Sequence, residues 1–262
     1  MMNTLRLIGL ALKYHWDAQK SNPANLFAGT FGMIVNNLII LWGLWAMLFD
    51  GKPDGQTLTI YFLSLNAVVT ISWGAINFLF GGLRFLGEYI EEGSLEPMLA
   101  TPRDPLILVA ISKNIMPALG DVIQGLGNLI VLFFVAPLAM AGRCVVFTFV
   151  AAVAVLGLYI LIGSIPFFVR RGNTLAQLLL ECNLSLSFYP SSKVFSDHAR
   201  IFLYLTPAAF TGVLPMDAVE RGTWPDAVLA VLGTGIFLWA AIRVFRYGLR
   251  RYQSSNYVMV RG

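Results

Sequence analysis

Long apolar runs with few or no charges alternate along the chain with short polar and charged segments. A helix that crosses a bilayer needs about 20 mostly apolar residues, and the pattern predicts six such spans. Their predicted bounds are 26–49, 57–80, 117–140, 144–169, 201–216 and 227–245. The fifth run is short and contains Pro207, and the sixth reaches full length only if Arg243 extends its guanidinium to the interface. We therefore predict an all-α polytopic membrane protein, with a single transmembrane domain over residues 1–262.

Composition strengthens this prediction. Of the 262 residues, 57% are hydrophobic and only 12% are charged, whereas about a quarter of the residues in an ordinary soluble domain are charged. A water-soluble globular protein is excluded, and the lipid bilayer of the cell membrane is the expected surrounding. Lys and Arg outnumber Asp and Glu by 18 to 14, but the basic residues are dispersed along the chain, so no nucleic-acid partner is predicted.

The positions of the basic residues predict the orientation. Lys and Arg near the ends of spans stay on the cytoplasmic side. If the N-terminus is inside, Lys52, Arg143 and Arg221 fall on the opposite side and the other fifteen of the 18 fall on the cytoplasmic side. Both termini are therefore predicted to be cytoplasmic.

Two further segments are predicted to lie along the cytoplasmic membrane surface. In residues 1–22, apolar side chains from Leu5 to Trp16 recur at helical spacing, which is typical of an amphipathic interfacial helix. In residues 173–198, apolar residues share one helical face, while polar ones such as Glu181 interrupt any spanning run. Whether the first helix does more than set the angle of the first span stays open.

The segment that joins the second and third spans, residues 83–116, is the most informative part outside the membrane. Gly93 stops one helix, Ser94 can cap a new one, and Pro102 requires that helix to end near Thr101. The new helix is predicted to be about two turns long.

This helix carries an apolar knob made of Leu95, Met98 and Leu99, spaced i, i+3 and i+4. The knob is too small to build a core and faces the cytosol unless something covers it. Two interpretations stay open: the knob packs against the protein's own spans, or it fits a groove on another protein.

Motifs for chemistry are missing from the sequence. It contains no G-x-x-x-x-G-K-[ST] loop, no H-E-x-x-H, no C-x-x-C and no G-x-S-x-G. His15 and His198 are far apart in sequence, and neither cysteine has a partner at metal-ligand spacing. We predict no catalytic residue, no metal site and no cofactor on this chain, and hence no enzyme.

Polar side chains inside the spans are the candidates for a transport pathway. Asp121, Gln124 and Asn128 lie at i, i+3 and i+7, within about 60° of one another on one helix. An ionisable residue in a span is a functional candidate, although Asp121 lies only about 6 Å from the start of its span, where the helix dipole favours a carboxylate. Asn36 and Asn37, near the middle of the first span, should face protein. Whether these five line a pathway or hold helices together stays open.

Several segments resemble a known family. Gly-Ser-Leu-Glu-Pro-Met-Leu-Ala-Thr-Pro at 93–102 resembles the cytoplasmic coupling-helix region of permease subunits of type 2 ABC transporters. Phe-Tyr-Pro at 188–190 and Leu-Thr-Pro-Ala at 205–208 are similar to the subgroup called uncharacterised ABC-2 type permeases. The resemblance covers most of the chain through the order of spans, the loop lengths and the N-terminal interfacial helix. The segment between the fourth and fifth spans is longer than in the simplest members.

The resemblance implies a permease subunit of an ATP-driven exporter. Two six-span subunits, identical or different, would pair side by side, each docked on a separate cytoplasmic ABC ATPase that binds the ATP and Mg. The knob would seat in a groove on the ATPase, and the neighbouring polar residues would meet its rim. The implied coupling residues are Glu91, Glu92, Ser94, Leu95, Glu96, Met98 and Leu99.

The predicted fifth span contains residues that interrupt a helix. Pro207, Gly212 and Pro215 interrupt it, so re-entrant half-helices are the alternative to two plain spanning helices. Because the corresponding region of the family helps to close the exit of the pathway, we predict an extracellular gate from Phe210 through Pro215 to Trp224.

The alternative function is a channel or secondary carrier that works without an ATPase. Such a protein needs an ionisable relay deep in its bundle, but Asp121 stands alone and near one surface. The hydropathy pattern also shows no inverted repeat.

Overall fold

The computed structural model describes residues 4–49, 54–190, 193 and 197–252. These residues form helices and turns and contain no strand, and five of the helices are long and apolar enough to cross a membrane. The predicted all-α polytopic fold is confirmed. The α-helices are α1 Thr4–Lys20, α2 Pro23–Phe49, α3 Gly55–Phe80, α4 Leu86–Glu91, α5 Glu96–Leu99, α6 Pro105–Ser112, α7 Leu119–Val135, α8 Leu138–Gly163, α9 Asn173–Ser187, α10 Asp197–Tyr204, α11 Leu214–Arg221 and α12 Trp224–Arg251.

The long helices alternate in direction and give the bundle two ends. At one end the close of α3 meets the start of α7, where the amide of Ile115 donates to the carbonyl oxygen of Asn77 at 3.0 Å. The close of α12 lies at the same end, because Gly248 packs against Phe167, which follows α8. We call this the coupling end, since α4, α5 and α6 lie there. It is the end predicted to be cytoplasmic.

The centre of the bundle is α3, which packs against α7 on one side and α8 on another. Glycines allow the close approach: a Cβ at Gly74 in α3 would lie 2.7 Å from the Cβ of Asp121 in α7. A Cβ at Gly120 would lie 2.4 Å from the carbonyl oxygen of Thr30 in α2. Small residues at such crossings let backbones approach within van der Waals contact.

The turn between α7 and α8 corrects the predicted bounds of the third and fourth spans. The third span ends at Val135 and not at 140, and the fourth begins at Leu138 and not at 144. Pro137 is the cause, because it lacks an amide hydrogen and forces Ala136 into an extended conformation, with φ −110° and ψ 162°. Arg143 thus lies within a helix and donates to the carbonyl oxygen of Val219 at 2.9 Å.

Helix α9 corrects the prediction that residues 173–198 lie flat along one surface. Its first amide, that of Asn173, donates to Glu91 at the coupling end. Lys193, which follows α9, pairs with Glu220 and lies 5.1 Å from the ring of Tyr61 at the opposite end. Helix α9 therefore runs through the bundle, and Lys193 lies at the end opposite to the one predicted to be cytoplasmic.

The low hydropathy of α9 explains the wrong prediction. Its polar side chains find partners inside the protein: Asn183 donates to the Thr211 hydroxyl at 3.1 Å, and Ser187 shares a hydrogen bond with the same hydroxyl. Polar groups satisfied in this way do not need water, so a helix with few apolar residues can cross among other helices.

The predicted fifth span, 201–216, is not one helix. It is divided into α10, a π-helical turn at Ala209–Val213, and α11. Pro207 and Pro215 remove two helical amide donors from this stretch, and the π turn places Gly212 against Ser187. Gly222 then adopts φ +64° beside Arg143 and reverses the chain into α12.

Helix α1 lies outside the bundle and has no buried residue. Its contact with the rest of the chain includes His15, whose Nε2 lies 3.1 Å from the carbonyl oxygen of Ile111 in α6. This arrangement suits the predicted interfacial helix, whose location at a membrane surface stays a prediction.

The glycine contacts give a test of the packing of α2 against α7. We expect Gly120→Ala to lower the free energy of unfolding by about 1–3 kcal/mol, because the new methyl group meets the backbone of α2. Gly127→Ala is the matched control on the same helix, since nothing lies within 4 Å of its Cβ position. The thermal midpoint of each purified variant in detergent measures the difference. Equal midpoints would contradict the close approach.

Candidate functional site

The coupling end carries the tip, which we define as residues 92–102. Helix α4 ends before Gly93, whose φ of +76° turns the chain into the left-handed region that favours glycine. The amide of Leu95 then donates back to the carbonyl oxygen of Tyr89 at 3.0 Å. Helix α5 is one turn long and not two, and Ser94 does not cap it, because Leu95 occupies the N-cap position and no side chain makes a capping hydrogen bond.

For Leu95, the structure supports the first of the two interpretations of the knob, and the implied seat of this side chain in an ATPase groove is wrong. Its side chain is 0% exposed and belongs to the same continuous apolar core as Leu86 and Val109. Met98 and Leu99 are partly buried against that core. Burial of the knob removes apolar surface from water, and the Leu95–Tyr89 backbone bond holds it in place. The knob therefore anchors the tip to the protein's own bundle.

The outward face of the tip consists of side chains that are either polar or small. Glu92, Ser94, Pro97, Ala100 and Thr101 are exposed. Of the other predicted coupling residues, Glu91 is exposed and accepts the amide of Asn173 at 3.1 Å, while Glu96 is partly exposed. The surface that a partner can reach at the tip is thus this polar face.

The end of α12 packs beside the tip. Tyr252 lies with its ring centroid 5.8 Å from that of Phe167. Burial, together with the nearby Glu96 carboxylate, raises the pKa of the Tyr252 hydroxyl above its ordinary value. Arg246 of α12 lies 4.0 Å from Asp104, which caps α6 by accepting the amide of Leu106 at 2.9 Å. Helix α5 of the tip packs against α6, and the Arg246–Asp104 pair links α6 to the last turns of α12.

A cavity of about 470 Å³ opens in the bundle nearer the coupling end. Four helices, α2, α3, α7 and α9, contribute to its wall, which mixes amide, carboxylate, hydroxyl and aromatic groups. Its polar and aromatic lining residues are Asn36, Asn37, Thr70, Trp73, Asn77, Arg84, Asp121, Glu181, Ser185, Phe188 and Tyr189. The volume lies in the range of small-molecule sites.

Two predicted pathway residues meet at the back of this cavity. Asn37 Nδ2 donates to Asp121 Oδ1 at 2.6 Å, and both side chains are buried. Asn36, the next residue on α2, lines the same cavity but is exposed. The chain thus brings Asn36, Asn37 and Asp121 together although 84 residues separate the last two.

Gln124 and Asn128, the other two predicted residues, belong to a separate cluster. Gln124 Nε2 and Asn128 Nδ2 both donate to Asn66 Oδ1, at 3.0 Å and 2.5 Å. All three side chains are buried. We therefore interpret these two residues as bonds between α3 and α7, although Asn128 also borders a second, largely apolar groove.

An ion pair borders the cavity toward the coupling end. Arg84, which follows α3, pairs with Glu181 of α9, and Gln177 donates to the Arg84 carbonyl oxygen at 3.2 Å. Arg84 and Glu181 both line the cavity. The pair therefore links the segment before α4 to α9, which forms part of the cavity wall.

The three predicted gate residues do not form one cluster. Phe210 stacks on Phe237 of α12 with ring centroids 4.6 Å apart, and Pro215 is buried in α11. Trp224 begins α12 and is 80% exposed. Phe210 and Pro215 are placed inside the broken segment, whereas Trp224 lies on the surface.

Sequence reasoning missed three residues of the site: Trp73, Arg84 and Glu181. Asn66 is an amide in the second predicted span, so the sequence indicates that it faces protein but does not identify Gln124 and Asn128 as its partners. Glu181 was assigned to a surface segment, so its pairing with Arg84 could not be foreseen. Trp73 looked like an ordinary apolar residue; its indole N–H is buried and has no hydrogen-bond partner in the described part of the chain.

A helical bundle with five helices that are long and apolar enough to cross a membrane is typical of polytopic membrane proteins. A family model described as "ABC-2 family transporter protein" matches residues 54–256. The chain belongs to this ABC-2 family of transporter proteins, which confirms the resemblance. It is accordingly a membrane-embedded permease component, a transport subunit and not itself an enzyme. No curated protein matches the chain, and no solved structure matches it either.

The Asn66 cluster gives a test of the site's framework. We expect Asn66→Ala to lower the free energy of unfolding by about 1 kcal/mol, because two buried amides lose their shared acceptor. Asn36→Ala is the control: it also removes one amide in a span, but that side chain is exposed. Thermal unfolding in detergent compares the two. A larger loss for Asn36→Ala would contradict the assignment of roles.

Proposed function

We propose that this chain is the permease subunit of an ATP-driven exporter in the cell membrane, with both termini in the cytoplasm. It pairs with a second permease subunit, and the tip of each docks on a separate ABC ATPase. The single observation that carries this proposal is the tip, a short helix projected by Gly93 and fixed to the bundle by the buried Leu95.

The tip geometry supports a role in transmitting force. A segment pushed by a partner moves the bundle only if it is fixed to the bundle, and Leu95 together with the Leu95–Tyr89 hydrogen bond provides this connection. The exposed face of Glu92, Ser94 and Pro97 is the part that meets the ATPase. Leu95 therefore acts as an internal anchor, while the polar face makes the contact.

The cavity supports a role in translocation. It holds Asn36, Asn37 and Asp121 at the depth of the spans, and Trp73 adds a buried donor without a partner among the described residues. A wall that offers hydrogen bonds and aromatic faces suits a transported molecule with polar and apolar parts. Gln124 and Asn128 serve as a scaffold behind this pathway.

The proposed mechanism couples the two regions through Arg84. ATP binding and hydrolysis, with Mg, occur on the partner and move the tip. The movement reaches α4 and then Arg84, whose pairing with Glu181 borders the cavity. Opening of this border admits the substrate from the coupling end, and the broken segment containing Phe210 and Pro215 forms the gate at the opposite end.

The alternative function, transport without an ATPase, has less support. Three charged side chains line the cavity, but Arg84 and Glu181 pair with each other at its border and Asn37 binds Asp121. These charged groups are engaged with partners inside the protein and do not form a relay along the spans, which an ion-driven carrier uses. Transport by the reconstituted chain without any ATPase would establish the alternative.

The tip can be tested with a pair of charge variants. We expect Glu92→Arg with Ser94→Arg to abolish copurification with the ATPase from cross-linked native membranes, because both side chains lie on the docking face. Asp17→Arg with Ala18→Arg makes the same change in charge on the exposed face of α1 and is expected to leave copurification unchanged. Normal ATPase recovery and ATP-driven transport with the tip variant would contradict the proposal.

The cavity can be tested by cysteine labelling in a Cys182→Ser background, since Cys144 is buried. We expect Asn36→Cys to react with a water-soluble maleimide at least tenfold faster than Ile39→Cys, because the reactive thiolate forms only where water enters. Ile39 is 68% exposed on the same helix but does not line the cavity. Labelling of Asn36→Cys should be faster in inside-out than in right-side-out vesicles, because the cavity opens nearer the coupling end. Equal rates at both positions would contradict a water-filled pathway.

A further inference from the structure

We propose that the last turns of α12, together with the turn at residues 168–171, form a binding site for the headgroup of an anionic phospholipid. This inference concerns the membrane that surrounds the protein and does not depend on the ATPase or on the direction of transport. It is carried by one face of α12, by the aromatic contacts at its end and by the charge of the side chains there.

The exposed face of α12 is apolar over most of its length and cationic near its C-terminal end. Leu229, Leu232, Ile236 and Trp239 are 54–66% exposed, while Ala230, Phe237 and Phe245 on the opposite face are buried. Continued at helical spacing, the exposed face reaches three exposed arginines. These are Arg243, Arg246 and Arg250.

The geometry places these arginines where the apolar face leaves hydrocarbon. All seven positions fall within an arc of about 100°, given 3.6 residues per turn. At about 1.5 Å per residue, Arg243 lies about 6 Å beyond Trp239 and Arg246 about 10 Å beyond it. Exposed tryptophan marks the interface of a bilayer. The guanidinium groups therefore reach the level of the lipid phosphates.

A second segment brings two more positive charges to the same place. Phe168 stacks on Tyr247 of α12 with ring centroids 6.0 Å apart, and both rings are about half exposed. The stack sets Arg170 and Arg171, both exposed, beside the end of α12. Arg171 has φ +57°, a conformation that non-glycine residues rarely adopt.

The charges in this patch are not neutralised by the described part of the chain. Of the five arginines, Arg246 alone has a carboxylate within 4.0 Å there, that of Asp104, and its side chain remains 64% exposed. Arg243 lies over the ring of Trp239 at 5.1 Å, which orients a cation without cancelling its charge. Guanidinium groups bind phosphate oxygens in pairs of hydrogen bonds.

A phospholipid fits this patch better than a protein partner does. The arginines continue a face that is otherwise in contact with lipid tails, so that a single phospholipid can place its acyl chains along Leu232 and Ile236 and its phosphate at Arg243. Arg246 also contacts Asp104 at the cap of α6. A lipid bound at Arg246 is therefore next to α6, the helix against which α5 packs.

Native mass spectrometry of the full chain in detergent tests the site, with added dioleoyl phosphatidylglycerol or dioleoyl phosphatidylcholine as probes. We expect the triple variant Arg243→Gln, Arg246→Gln, Arg250→Gln to bind phosphatidylglycerol roughly a hundredfold more weakly, because each basic residue near a membrane surface contributes about fivefold. Binding of phosphatidylcholine should not change. The control Arg6→Gln, Lys13→Gln, Lys20→Gln removes the same charge from α1, where the basic residues lie about 10 Å apart along the helix and do not converge on one phosphate. It should lower phosphatidylglycerol affinity less than threefold.

Three outcomes would overturn the proposal. They are unchanged phosphatidylglycerol binding by the α12 triple variant, an equal loss in the α1 control, and a loss of a copurifying protein with lipid binding intact. If the triple variant does not fold, the three single substitutions replace it. Each is expected to weaken phosphatidylglycerol binding about fivefold, and no effect from any of them would equally overturn the site.

Discussion

The structure depends on one constraint, which is that a polar group removed from water must find a partner inside the protein. In α2, α3 and α7 that requirement is met by side chains from different helices: Asn37 with Asp121, and Gln124 and Asn128 with Asn66. Such pairs fix which faces of the helices meet and at what height. The glycines at 74 and 120 then allow the backbones to approach closely enough for these bonds to form.

The same constraint explains how a polar segment can cross the bundle. Helix α9 has Asn183 and Ser187 bonded to Thr211 in the π-helical turn, and Glu181 paired with Arg84. The helix and the broken segment therefore complete each other, since each supplies the partners that the other needs. Because Arg84 and Glu181 also border the cavity, the contacts that hold α9 in place lie beside the proposed pathway.

Much of the fold follows from the sequence, because hydropathy reports long apolar helices directly. The first two spans, the stop at Gly93 and the interruption by Pro207 and Pro215 all correspond to features of the structure. What the sequence could not reveal depends on contacts between distant residues. The polar face of α9 reads as a water-facing surface until Thr211 and Arg84 are placed beside it, and Leu95 reads as exposed until the core reaches the tip. Pro137 is a different case, because the helix-breaking effect of proline is a local property of the sequence.

Cross-linking at the tip tests the central claim most directly. A photoreactive benzoylphenylalanine in place of the exposed Pro97, irradiated in native membranes, reports what lies against the tip, and the same residue at the buried Leu95 serves as the control. We expect position 97 to cross-link to a separate polypeptide that carries a G-x-x-x-x-G-K-[ST] loop, and position 95 to cross-link only within the chain. Adducts at position 97 that contain only lipid or this chain itself would contradict a tip that docks on an ATPase.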